Sequence, residues 1–99
     1  SIPTGMSSAT VGCFDGPYYS LPEGARLVLK AAVRLNIQRI DLDELRIHMI
    51  EGAGWSDDEF NAHLDACIDL HLLDMTPEPS MHQVIAAFVM QAPIQRAVL

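Results

Sequence analysis

Three sets of side chains in this sequence are spaced for chemistry. His63, Cys67 and His71 recur at every fourth position, so on one helix their nitrogen and sulfur atoms would share a face that could hold zinc. Asp57, Asp58 and Glu59 put three carboxylates side by side, the raw material of general acid–base catalysis. Arg26, Lys30 and Arg34 form a basic stripe at the same helical spacing, suited to an acidic partner. His82 stands alone where an irregular stretch meets an apolar run, beside the N–H groups that open a helix and favour an anion.

Each set has a structural reading to set against the chemical one. Cys67 falls on an apolar stripe, and a tetrahedral metal needs a fourth ligand from a second segment, so packing is preferred there and no metal is expected. The three carboxylates sit in a helix first turn, where acidic residues are at home anyway. No Ser, Cys or Lys has a base beside it, and no GxxxxGK[ST] phosphate loop occurs, so the chain itself is not expected to be an enzyme. The basic stripe reads either as a solvated face or as a docking surface for an acidic neighbour.

The elements that must position these residues are helices. Ser20, Pro22 and Glu23 look like the capped start of one, with Leu27, Val28, Ala31, Ala32 and Leu35 as its apolar stripe. Asp41 with Glu44 opens a second, which Gly52 and Gly54 end. Ser56 with Glu59 opens a third as a capping box, with Trp55 placed to staple onto Phe60. Leu72 to Thr76 and Ser80 to His82 read as two short strands joined by Pro77-Glu78-Pro79, and Val84 to Gln91 as a closing helix before Pro93. Residues 1–17, with Gly5, Gly12, Gly16, Pro3 and Pro17, follow no steady period and read as a linker or docking arm. The expected fold is therefore mostly α over residues 18–99: a winged helix, with a three-helix core, a β-hairpin wing and a C-terminal helix.

Composition narrows the partners. Ninety-nine residues suffice for one modest core. The net charge is −7, and eleven of the thirteen carboxylates lie between Asp41 and Glu78 against the single base Arg46, which disfavours DNA. Cys13 and Cys67 give no disulfide framework, so reduced thiols and a cytoplasmic setting are expected. No apolar stretch approaches the roughly 20 residues that span a bilayer. A start at Ser1 and a stop at Leu99 without a helix-ending signal suggest a piece of a longer protein.

Tyr19-Ser20-Leu21-Pro22-Glu23-Gly24-Ala25-Arg26 resembles the segment that opens the winged-helix domain of NB-ARC or STAND signal-transduction ATPases. Leu70-His71-Leu72-Leu73-Asp74 followed by Met81-His82-Gln83-Val84-Ile85 is similar to that domain's closing hairpin and its Met-His-Asp motif, across Tyr19 to Gln91 in all. In such proteins the motif's histidine contacts the β-phosphate of ADP in the resting state, and exchange for ATP releases the domain and permits oligomerisation. The resemblance gives that role to His82. It implies ADP or ATP as ligand only within a longer parent, none for the isolated chain, and the parent's nucleotide-binding domain as partner. Gln83 stands where the family has Asp. The alternative is a free-standing winged-helix regulator or a protein-interaction adaptor, and the oligomeric state is left open.

Overall fold

The computed structural model describes residues 8–95. Within them the chain is mostly helical: α1 Ser8–Ser20, α2 Glu23–Ala32, α3 Leu42–Ala53, α4 Asp57–Asp69 and α5 Gln83–Gln91. Helix α2 is the hub, packed against α3, α4 and α5, while α1 lies along α5.

Three of the four expected helix starts are built as the sequence indicates. Asp41 accepts hydrogen bonds from the backbone N–H groups of Asp43 and Glu44. Ser56 and Glu59 make both halves of the capping box. His82 opens α5, and Gly54 ends α3 in the left-handed region at φ 73°, where a side chain would be strained. The start of α2 differs: Pro22 is the N-cap, no side chain caps it, and the Ser20 hydroxyl donates to Pro17 O instead of closing a box with Glu23. Trp55 sets its ring against His63, at 4.7 Å between centroids, close to the buried Phe60 in sequence.

Two expectations are corrected. Residues 8–17, read as an irregular arm, are helical, and the 17/18 boundary falls inside α1; residues 1–7 lie outside the described part. Glycine and an interior proline disfavour helix locally, but Phe14 and Tyr18 project from α1 onto Phe88 at 5.8 and 5.4 Å, and that tertiary burial overrides propensity. The buried stripe of α2 is also turned from its expected line. Ala25, Arg26, Val28, Leu29 and Ala32 are inside, whereas Leu27, Ala31 and Leu35 are only half-buried.

The hairpin expected between Leu72 and His82 is reduced, among the described residues, to one antiparallel bridge in which Asp74 and Ser80 exchange both backbone hydrogen bonds. Pro77 and Pro79 have no N–H to extend it. A second seam was not legible in the sequence. Ile40 N donates to Pro79 O at 2.7 Å and Met81 N donates to Ile37 O at 2.8 Å, so the stretch after α2 runs alongside the returning arm of the bridge. Ile40, Leu72, Leu73 and Met81 are buried on its inner side.

Candidate functional site

His82 is the N-cap of α5. Its Nδ1 accepts the N–H of Val84 at 3.1 Å, so that nitrogen carries no proton while the cap is made, and in the neutral ring the proton lies on Nε2. The residue is exposed. It therefore presents an N–H donor at the positive end of a helix, with the imidazole held by its own backbone. Gln83 is exposed beside it as the first residue of α5.

Two members of the histidine–cysteine triplet, His63 and Cys67, pack against neighbouring residues, and the third, His71, is exposed. Cys67 is fully buried, its thiol donates to Ala25 O at 3.3 Å, and burial pushes its pKa up to about 12. His63 rests on Trp55 and against Gly24. His71 has left the helix: with φ 59° it takes the left-handed position of a Schellman motif, in which His71 N donates to Ile68 O and Leu72 N to Cys67 O. Among the described residues no three His, Cys, Asp or Glu side chains are grouped to hold a metal. Asp57, Asp58 and Glu59 are exposed on the first turn of α4, and Arg46 draws Asp57 to 3.1 Å and Asp43 to 3.7 Å.

The basic stripe is not a free surface. Arg26 is only 8% exposed, and its Nη1 donates to Leu21 O at 2.6 Å and to Tyr19 O at 3.5 Å. Lys30 Nζ donates to Val89 O at 2.6 Å and caps the C-terminal end of α5, an arrangement that lies half in the interior. Burial, and then Arg34, lower the Lys30 pKa, while the two carbonyls it meets favour the ammonium. Only Arg34 of the three is exposed.

Sequence reasoning missed the junction of α1 and α2. There an open cavity of about 460 Å³ is lined by Gly16, Tyr19, Ser20, Arg26 and Gln95. Tyr19 OH donates to Pro93 O and Gln95 Nε2 donates to Glu23, which bring the segment after α5 against this wall. The Arg26 guanidinium lies 5.6 Å from the centre of the Tyr19 ring. Tyr18 OH and Arg26 Nε are both buried without a hydrogen-bond partner, and burial foremost raises the Tyr18 pKa to about 12. The signal available in the sequence was the Tyr18-Tyr19 pair ahead of an arginine on an apolar stripe.

No family model matches the chain, and no curated protein or solved structure matches it. Among the described residues no helix is long and apolar enough to cross a membrane.

Proposed function

We propose that the chain is a non-catalytic winged-helix module of a nucleotide-switched signal-transduction ATPase of the NB-ARC or STAND kind. In it His82 closes over ADP bound by a neighbouring domain. The observation that carries the reading is the geometry of His82: Nδ1 is tied to Val84 N–H, which leaves an exposed Nε2–H donor at the start of α5 for a phosphate oxygen. The seam of Ile37 and Ile40 beside the Asp74–Ser80 bridge supports the winged-helix assignment. The order helix, extended seam, two helices, bridged turn and closing helix also supports that reading.

A lid of this kind supplies one donor, and the remaining phosphate contacts belong to the partner domain. Exchange of ADP for ATP would remove the contact and free the module to rearrange. Gln83, lacking a carboxylate, makes the resting state looser than an Asp in its place would. The test is His82→Ala in the full-length protein, with retention of ADP through gel filtration as the readout. Faster ADP loss and assembly without a trigger are expected; unchanged ADP retention and assembly sink the reading, as does a gene with no phosphate-loop sequence upstream.

A protein-interaction adaptor on the same scaffold is the second reading, favoured by the exposed side chains of Ile47 and Met90. It calls for a specific protein partner whose binding ignores nucleotide. DNA is disfavoured because α4, the helix that would enter the groove, carries Asp57, Asp58, Glu59, Asp65 and Asp69, all exposed.

A further inference from the structure

We infer that the solvent face of α3 is a docking surface for a cationic amphipathic helix of another protein, centred on Ile47. Ile47 lies two residues from each of the buried Leu45 and Met49, so it points about 200° round the helix axis from both, away from the core. Its side chain is 49% exposed. A single exposed isoleucine is ordinary on a protein surface. This one is distinguished by its surround: Asp43 and Glu44 stand one turn before it and Glu51 one turn after, all exposed, while the half-buried Ile50 widens the apolar centre. The one base on α3, Arg46, is already shared between Asp43 and Asp57.

Charge selects the occupant. The eleven carboxylates between Asp41 and Glu78 are all exposed. Arg46 and Arg39 take up Asp43, Asp57 and Glu78, and the others have no ion pair among the described residues. A partner helix that lays one apolar side chain on Ile47 and Ile50, with Lys or Arg one turn to either side, meets Glu44 and Glu51 with the opposite charge while it buries the apolar pair. Nucleic acid and anionic lipid surfaces are repelled by the same carboxylates, and a second copy of this chain brings −7 against −7. The surface does not include His82, so failure of the nucleotide reading leaves it standing, and its own failure leaves that reading untouched.

The test is an NMR titration of the whole 99-residue chain with a leucine–lysine amphipathic peptide of about 18 residues, roughly five helical turns. The control is the same peptide with every lysine replaced by glutamate. Saturable binding of the lysine peptide is expected, with amide shifts concentrated on α3 from Asp43 to Glu51, and no binding of the glutamate peptide. Ile47→Asp separates docking from bulk attraction. It adds a negative charge, so charge alone would tighten binding, whereas loss of the apolar centre should weaken it at least about tenfold. Glu44→Gln combined with Glu51→Gln should also weaken it, and more at low salt than at high. The proposal is overturned by no saturable binding, by shifts spread evenly over α3 and α4, or by undiminished binding in Ile47→Asp. It is overturned too by α3 shifts that appear on raising the protein concentration without peptide, which would mark a second copy as the occupant.

Discussion

Gly24 shows how one missing side chain sets a packing distance. A Cβ there would lie inside contact distance of the His63 ring, which is already braced by Trp55. Alanine normally gains about 1 kcal/mol over glycine within a helix, but forcing a half-buried ring aside costs about 1–3 kcal/mol, so Gly24→Ala should lower stability by roughly 1 kcal/mol. In a His63→Ala background the same change should raise it instead; urea denaturation of the two pairs measures the difference, and an equal effect in both backgrounds would remove His63 as the cause. This contact was not legible in the sequence, because Gly24 lies in one helix and His63 in another. His82 was legible as a helix-opening residue from its position alone. Which of its nitrogens faces inward depends on a side-chain rotamer that spacing does not determine.

The elements follow local rules at their ends and tertiary rules along their faces. Asp41, Ser56, Gly54 and His82 mark helix ends because capping involves residues two to four apart, a range that sequence displays directly. Helix α1 escaped the same reasoning because its stabilisation comes from Phe88, seventy or more residues after Phe14 and Tyr18. Arg26 and Lys30 were misplaced for a related reason: their donors satisfy carbonyls at Leu21 and Val89, partners invisible to charge patterning. Helix α4 offers a test at both ends. Ser56→Ala should cost about 1 kcal/mol by removing the cap, while His71→Gly should gain about 0.5–1 kcal/mol by relieving a left-handed non-glycine residue. Opposite shifts of the urea midpoint confirm the two roles, and a loss in His71→Gly would show that the histidine side chain contributes more than its backbone strain costs.

For the molecule as a whole, the interior contains protons that the unfolded chain gives up more readily. Tyr18 goes from 10.0 to about 12 and Cys67 from 9.0 to about 12 on burial. Between about pH 9 and 12 the unfolded state loses these protons while the folded state keeps them, so stability falls as pH rises through that window. Lys30, lowered below 10.5, acts in the opposite sense as pH approaches its ordinary value. The two buried acids should prevail, and the urea midpoint should decline steadily above about pH 9. Tyr18→Phe should flatten the upper part of that decline, and an unchanged slope would remove Tyr18 as a contributor. One further consequence follows from the seam between Ile37–Ile40 and Pro79–Met81. The amide hydrogens of Ile40 and Met81 sit in stretches without regular structure, yet each is bonded across the chain and belongs to a buried residue. Such hydrogens trade with solvent deuterium only when segments forty residues apart separate together, so two loop positions become reporters of the slowest, most global opening of the fold.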